Sequence, residues 1–290
     1  VQLGAFLMLL RVKEENPQEL AGFVQAARDT VAGIEMDRSA LVDWPTYAGK
    51  RRRLPWFILA ALLLAENGIA VLMHGTVGVK DDRLYAEPAL AALGLSNTPS
   101  LQAAAEMLAT SGFAFIRLED FHDKLKEMMN LRSYFGLRSP INTLLRSLNP
   151  LAAPFMVQGT FHPGYRQIHQ QAMALLNQPH MAVIKGEGGE AERDPDNACQ
   201  VFSLHQGKAV DEAWPALFKQ RHLKEPLLNV ERLVAVWRGE EEDEYATAAV
   251  VSSAAIVLRM MARAADVDTA TAQAAAMWRH RPKSKYPLQR

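Results

Sequence analysis

The sequence predicts an α/β protein, in which a larger α/β domain with a mostly parallel central sheet carries a small helical domain packed on it. Short apolar runs alternate with helical segments along most of the 290 residues, an order typical of parallel βαβ units. Two helices at the start lie outside this alternation and indicate a separate helical part. The predicted strands are residues 41–44, 69–73, 113–117, 155–158, 181–184 and 199–205. The predicted helices are two within residues 1–33, then 55–66, 85–93, 100–110, 122–129, 140–148, 162–176, 245–264 and 269–278.

The two opening helices meet near residues 15–17. Asn16 is a favoured N-cap residue, and Pro17 suits the first helical position that follows it. The first helix needs a packing partner, either within the chain or in a second copy, for an apolar face that consists of Leu3, Phe6, Leu7 and Leu10.

The composition predicts a protein of a reducing, cytoplasmic compartment. Hydrophobic residues make up 49% and charged residues 22%, and no run approaches the ~20 apolar residues that a membrane span needs. Cys199 is the single cysteine, which excludes an internal disulfide framework and a multi-cysteine zinc site. The chain begins with Val inside a predicted helix and has no cationic lead-in. We therefore expect residues to be missing before it, and no signal peptide.

One stretch, residues 41–53, combines a short strand, a turn and four consecutive cations before an apolar helix. A strand, loop and helix start in this order place backbone N–H groups and the helix dipole against an anion. The loop has one glycine, so side chains must supply most of the attraction. The cations are Lys50, Arg51, Arg52 and Arg53. The alternative is that they form only a solvated entrance to the helix.

Ligands of parallel α/β sheets bind where the strand ends meet their loops, which here are basic and rich in hydroxyl groups. Arg138, Asn142 and Arg146 are spaced four apart and so share one helix face, a pattern that suits carboxylate or phosphate binding or, equally, a solvated face. His74 ends a predicted strand and is either a site residue or a structural histidine. The loops that form this predicted cleft are residues 46–53, 74–82, 119–126, 159–165 and 186–193.

Several segments resemble the anthranilate phosphoribosyltransferase family. The signature lies in residues 121–125, 135–142 and 148–150, and further matching pieces are residues 3–14, 73–75 and 185–189. The resemblance implies a small helical domain, residues 1–36 plus 137–152, and a large α/β domain, residues 37–136 plus 153–290. It also implies a homodimer formed through the helical domain.

The resemblance further implies which residues line the cleft, and where this chain departs from the family. The family's phosphoribosyl pyrophosphate loop, rich in glycine and carrying an acid, corresponds to residues 45–53. Its two magnesium-binding acids correspond to Ala191 and Glu192, so one carboxylate is missing and Glu192 is a degenerate metal ligand. Arg138 matches the arginine that grips the anthranilate carboxylate, and Arg146 is an added cation. The implied cleft residues are Thr46, Tyr47, Gly49, His74, Gly75, Thr76, Arg138 and Asn142.

These departures predict that the family's chemistry is lost, because removing one preorganised charge-stabilising group costs ~100–1000-fold in rate. The pattern resembles a divergent, nucleic-acid-binding branch of the family. We therefore expect a homodimer without a cofactor that binds DNA or RNA largely without sequence specificity, although the net charge of zero is not typical of such proteins. The predicted phosphate-binding residues are Lys50, Arg51, Arg52, Arg53, Lys124, Arg138 and Arg146.

The alternative is a glycosyltransferase or phosphoribosyltransferase that uses phosphoribosyl pyrophosphate with anthranilate or a changed acceptor. Only that alternative requires magnesium.

Overall fold

The computed structural model describes residues 1–76 and 82–288, so residues 77–81 of one predicted cleft loop lie outside the described residues. Its strands are β1 (Val42–Thr46), β2 (Val71–Gly75), β3 (Phe113–Arg117), β4 (Phe155–Thr160), β5 (His180–Lys185), β6 (Cys199–His205) and β7 (Lys208–Trp214). Its α-helices are α1 (Gln2–Lys13), α2 (Pro17–Arg28), α3 (Phe57–Glu66), α4 (Ala86–Ala92), α5 (Leu101–Ser111), α6 (Asp123–Asn130), α7 (Arg132–Phe135), α8 (Ile141–Leu144), α9 (Tyr165–Leu175), α10 (Glu231–Arg238), α11 (Glu244–Met260) and α12 (Val267–Arg279).

The strands form one sheet in the order β3-β2-β1-β4-β5-β6-β7. The first five in this order run parallel, and β6 and β7 extend the sheet as antiparallel strands. The predicted α/β class with a mostly parallel sheet is confirmed. β7, α7 and α10 were not predicted, and the predicted helix at 140–148 is the short α8 followed by a 3-10 turn, Leu145–Ser147.

Alternate side chains of the central strands enter two different hydrophobic cores. Val157 and Ala182 pack on one face of the sheet with α3 and α11, whereas Met156 and Met181 pack on the other face with α2 and α9. Every residue of α3 from Phe57 to Ala65 is buried, which explains why its sequence is apolar on all sides. The sheet is therefore covered on both faces, and its strand ends are left for a site.

The start of the chain folds as predicted at the junction of α1 and α2. Asn16 Oδ1 accepts the N–H of Glu19 at 2.8 Å, and Glu19 Oε2 accepts the N–H of Asn16 at 3.1 Å, a reciprocal cap. On the predicted apolar face of α1, Leu7 and Leu10 are buried within the chain, whereas Leu3 and Phe6 are 42% and 49% exposed.

The division of the chain into the two domains stays a prediction. None of the described helices has the length and apolar character that crossing a membrane requires.

Candidate functional site

The carboxyl ends of β1, β2, β4 and β5 bring their loops together at one edge of the sheet, where the cleft was predicted. Thr46 at the end of β1 lies beside Gly75 at the end of β2 in the strand register. A Cβ atom added to Gly75 would lie 2.2 Å from the carbonyl oxygen of Thr46, so only glycine allows the two backbones to approach this closely. The loop between β1 and α3 and the loop between β5 and β6 face each other at this edge.

Three glutamates of the β5–β6 loop bind the backbone of the β1–α3 loop. We call Glu187, Glu190 and Glu192 the glutamate cluster. Glu190 is fully buried, and its Oε1 accepts the N–H groups of Ala48 and Gly49 at 2.7 and 2.6 Å. One carboxylate therefore holds two consecutive backbone donors, the arrangement by which loops of this kind bind anions.

The other two members of the cluster continue this pattern along the loop. Glu187 Oε1 accepts the N–H groups of Arg51 and Arg52 at 3.0 and 2.7 Å. Glu192 Oε2 accepts the N–H of Phe57, at the start of α3, at 2.8 Å. Backbone N–H groups in a strand, loop and helix start are the groups that hold phosphate in phosphate-binding loops. Here the chain's own carboxylates accept them.

Lys50 completes the contact between the two loops. It is 1% exposed and its ammonium group contacts the carboxylates of Glu192 and, at 3.3 Å, Glu187. Burial by itself would lower the pKa of Lys50, but the two carboxylates outweigh burial and raise it, so the lysine is charged. The predicted role of Lys50 as a phosphate ligand is therefore wrong, because it is already neutralised within the fold. Glu192 is correspondingly engaged and is not free to hold a metal.

The remaining cations of the predicted run separate into buried and exposed groups. Arg53 is buried, donates to the carbonyl oxygens of His222 and Leu223 at 2.9 and 3.0 Å, and lies 3.6 Å above the ring centre of Tyr245. Arg53 also lies 3.4 Å from Asp196 and lines a groove at this edge, so its predicted phosphate role stays a prediction. Arg51 and Arg52 are exposed, as predicted, although Arg51 lies 3.3 Å from the carboxylate of Asp82.

Tyr47 and His74 belong to a buried hydrogen-bonded chain. The Tyr47 hydroxyl lies 2.7 Å from His74 Nδ1, and His74 Nε2 lies 3.3 Å from Asp43 Oδ2. Burial, followed by the charge of Asp43, raises the pKa of Tyr47 well above its ordinary value. His74 has no exposed surface, so of its two predicted roles the structural one fits the fold.

Two further residues of the predicted site, Thr76 and Lys124, lie in different surroundings. Thr76 is buried near the cleft, where its hydroxyl donates to Glu119 Oε2 at 2.8 Å and accepts from Lys126. Lys124 instead is exposed and lines an apolar cavity between α1, α2 and α6. Lys124 therefore lies apart from the other predicted cations, and its predicted role in phosphate binding stays a prediction.

Arg138, Asn142 and Arg146 meet at a cavity of about 110 Å³, although they do not share one helix: Arg138 precedes α8 and Arg146 lies in the 3-10 turn that follows it. Arg146 is buried, and its Nη1 donates to the carbonyl oxygen of Asn142 at 2.6 Å. Burial lowers the pKa of Arg138 to about 10, and the nearby charges of Arg146, Arg83 and Arg132 act in the same direction. The arrangement concentrates positive charge in a partly enclosed space.

A larger groove of about 650 Å³ runs along the outer side of the glutamate cluster. Sequence reasoning missed most of its cations, which come from α9, the end of β5 and the loop after β7. Lys185 begins a segment that resembles the family, residues 185–189, but the other missed cations stand in segments with no motif. The groove's cations without an acid at ion-pair distance, among the residues that the structure describes, are Arg52, Arg166, Lys185, Arg221 and Lys224.

The donor set at the predicted metal position does not fit magnesium. Ala191 supplies no ligand, and the Glu192 carboxylate is bound to Lys50 and to the N–H of Phe57. Magnesium needs several oxygen ligands in near-octahedral geometry, which this pair of positions does not offer. In the part of the chain that the structure describes, no group of three or more His, Cys, Asp or Glu side chains is placed to hold a metal.

Comparison with known families matches both parts of the chain. Residues 1–31 match the helical bundle domain of a glycosyl transferase family, and residues 58–280 match its α/β domain. The chain belongs to this glycosyl transferase family. The two matched ranges leave out residues 32–57, which hold β1 and the loop that the glutamate cluster binds.

Individual relatives agree with the resemblance seen in the sequence. The chain is 31% identical over 188 residues to the anthranilate phosphoribosyltransferase of Anaeromyxobacter sp. and 30% identical to that of Halorubrum lacusprofundi, in each case over 64% of this chain. It spans 56% and 52% of the lengths of these two curated relatives. The chain is thus anthranilate phosphoribosyltransferase-like.

Solved structures confirm the fold. The anthranilate phosphoribosyltransferase of Thermus thermophilus superposes with a TM-score of 0.79 at 24% identity, covering 94% of this chain and 83% of that one. The Saccharomyces cerevisiae enzyme in complex with PRPP and Mg gives a TM-score of 0.76 at 14% identity, covering 94% and 79%.

The buried ion pair generates a prediction about stability. Lys50→Met leaves Glu192 buried without its cation, so we expect the free energy of unfolding to fall by ~3–5 kcal/mol. The double variant Lys50→Met/Glu192→Gln removes both charges and should recover most of that loss. Urea unfolding followed by circular dichroism measures both. Arg51→Met is the control, because its exposed pair contributes at most about 1 kcal/mol. Equal small losses for Lys50→Met and Arg51→Met would contradict the assignment of a buried, compensated charge pair.

His169, beside the arginine-lined cavity, generates a prediction about pH. Its Nδ1 lies 2.6 Å from Gln158 Oε1, and burial, with Arg146 acting in the same direction, lowers its pKa to about 3. It is thus neutral in the fold but protonated in the unfolded chain below pH ~6.5. The free energy of unfolding should therefore fall by ~1.4 kcal/mol per pH unit below that point. Urea unfolding between pH 5 and 6 should show this slope reduced in His169→Gln; an unchanged slope would contradict the assignment.

Proposed function

We propose that this anthranilate phosphoribosyltransferase-like protein binds nucleic acid, DNA or RNA, along the groove, and does not transfer a phosphoribosyl group. The observation that carries the proposal is the set of groove cations that lack an acidic partner. Arg52, Lys185 and Lys224 are exposed, and their side chains have no ion pair or hydrogen bond among the described residues. Paired surface cations would already be neutralised, whereas these are available to phosphate groups.

Two further features support binding to a polymer. Arg166 and Arg221 line the same groove, and Phe161, which is 53% exposed, lines both the groove and the neighbouring cavity. Cations that follow a backbone and aromatic rings on which bases stack are the usual elements of single-strand binding. Contacts with phosphate carry no sequence information, so the binding is expected to be largely unspecific.

The state of the β1–α3 loop supports the second half of the proposal. A pyrophosphate donor needs backbone donors and metal to offset its charge. The donors of this loop are bound to the glutamate cluster, and Lys50 is bound to Glu192. A donor molecule would have to displace three carboxylates before it could bind.

Removing the free groove cations should weaken binding in proportion to the number of phosphate groups that the protein no longer neutralises. For Arg52→Gln/Lys185→Gln/Lys224→Gln we expect the plot of log affinity against log salt to flatten by ~2–3 units, since each neutralised phosphate contributes ~0.7–0.9. Oligonucleotides of different sequence should lose affinity about equally. Fluorescence anisotropy with single- and double-stranded oligonucleotides over a salt series measures both quantities.

The matched control removes three exposed cations that do not line the groove, Lys208→Gln/Arg263→Gln/Arg279→Gln. It changes the net charge by the same amount and should leave the salt slope unchanged. Equal slopes for the two triple variants would show that any binding depends only on net charge and would contradict the groove assignment.

A second candidate is pentosyl transfer, in which phosphoribosyl pyrophosphate reacts with anthranilate or another anionic acceptor. The relatives' names favour it, and so does one feature of this chain: Arg138 lines a cavity in the cleft and has no hydrogen bond or ion pair among the described residues. This candidate requires the glutamate cluster to leave the β1–α3 loop when the donor enters.

We also propose that the protein is a homodimer formed through α1. Four large apolar side chains of this helix are 42–85% exposed: Leu3, Phe6, Leu9 and Val12. An exposed apolar surface of this kind on a helix is typical of an interface with another chain. A second copy would place two grooves on one particle and lengthen the footprint on a polymer.

A further inference from the structure

The cavity at Arg138 and Arg146, which we call the arginine cavity, lies beside the groove and plays no part in the proposed function. Phe161 lines both spaces. The cavity has a volume of about 110 Å³, enough for a small tetrahedral group. Its charged and hydrogen-bonding lining includes Arg11, Glu15, Arg138, Ser139, Asn142 and Arg146.

The guanidinium groups of this lining form no close ion pair in the described structure, although Glu15 also lines the cavity and the charge of Glu190 acts on Arg146 from further away. No carboxylate lies at ion-pair distance from Arg11, Arg138 or Arg146. Arg138 also donates no hydrogen bond, and Nη2 of the buried Arg146 has no hydrogen-bond acceptor. Guanidinium groups removed from water without an acceptor are costly, so the cavity is built to gain from an anion.

Neutral donors are unpaired at the same place. The Ser139 hydroxyl and the Asn142 side-chain amide are buried and make no hydrogen bond with the described residues. Two guanidinium forks with a hydroxyl and an amide form a convergent set of donors, which matches an oxygen-rich group better than a planar carboxylate with its two oxygens.

The charge of the lining indicates the charge of the ligand. Three guanidinium groups stand against one carboxylate, Glu15, which leaves a net charge of two. His169 adds none, because it is neutral above a pH of about 3. A monocarboxylate would leave a positive charge uncompensated in a partly buried space, whereas a dianion would balance it.

We propose that the arginine cavity binds the dianion of a phosphate group. The planar guanidinium of Arg138 faces the ligand directly, since the fold gives it no other partner, and Arg146 contributes its free Nη2. The phosphate group belongs either to a small phosphorylated molecule or to the end of a nucleic acid lying in the groove. The second source rests on the proposed function; the first does not.

Titration calorimetry with inorganic phosphate in a phosphate-free buffer, at a pH where the dianion dominates, tests the site itself. We expect saturable binding of phosphate and much weaker binding of acetate at the same ionic strength. Arg138→Gln should weaken phosphate binding roughly 10–100-fold, the effect of losing a charge-assisted hydrogen bond. It should not unfold the protein, because Arg138 makes no hydrogen bond or ion pair within the described fold. Arg263→Gln, an exposed arginine that lines neither the cavity nor the groove, is the matched control and should bind phosphate as the unaltered chain does.

Equal binding of acetate and phosphate, no saturable phosphate binding, or unchanged binding by Arg138→Gln would each overturn the proposal.

A second comparison identifies the source of the phosphate group, using one oligonucleotide with either a 5′-phosphate or a 5′-hydroxyl end. Tighter binding of the phosphorylated form that is abolished in Arg138→Gln supports a nucleic acid end. Equal binding of the two forms, together with saturable inorganic phosphate, supports the site with a small phosphorylated ligand. A failure of the groove variants leaves the phosphate titration unaffected, so the two proposals fail separately.

Discussion

The binding of the β1–α3 loop by the glutamate cluster is the interaction on which the rest of the site depends. A strand, loop and helix start leave several N–H groups without intrahelical partners, and these groups must find acceptors. In this chain Glu187, Glu190 and Glu192 supply them from the loop after β5. The contact joins the two halves of the sheet edge, fixes the position of Lys50, and leaves the groove on its outer side.

The same contact explains why Lys50, a cation that suggests phosphate binding in the sequence, has a structural role in the fold. A buried lysine is tolerated only when carboxylates compensate it, and Glu192 and Glu187 do so. Resemblance to the family places an acid in this loop and two acids after β5, where metal would join them. Here a cation stands in the loop and one of the two later acids is alanine, so the loops attract each other directly. The ammonium group of Lys50 supplies the positive charge between the carboxylates of Glu187 and Glu192.

The fold could be predicted well from the sequence, whereas the site could be predicted only in part. Strong local signals marked the strands around β1 to β6, the all-apolar α3 and the cap at Asn16, because each depends on neighbouring residues. β7 was missed since its alternation is weak and most of its residues are exposed. The run from Lys50 to Arg53 showed its charge but not its partners, most of which lie 135–170 residues further along the chain. Arg138, Asn142 and Arg146 were found from their spacing, although Arg138 lies before α8 and Arg146 in the 3-10 turn after it.

The claim that the chain's own carboxylates fill the donor-binding loop is tested most directly by titrating the protein with phosphoribosyl pyrophosphate and magnesium in a calorimeter. We expect no saturable binding at the loop. Three glutamates already accept its backbone N–H groups, and the residues at the predicted metal position do not suit magnesium. Any phosphate bound in the arginine cavity is recognised by its absence in Arg138→Gln and its independence of magnesium. Magnesium-dependent binding at micromolar concentrations that persists in Arg138→Gln would contradict the claim and favour pentosyl transfer.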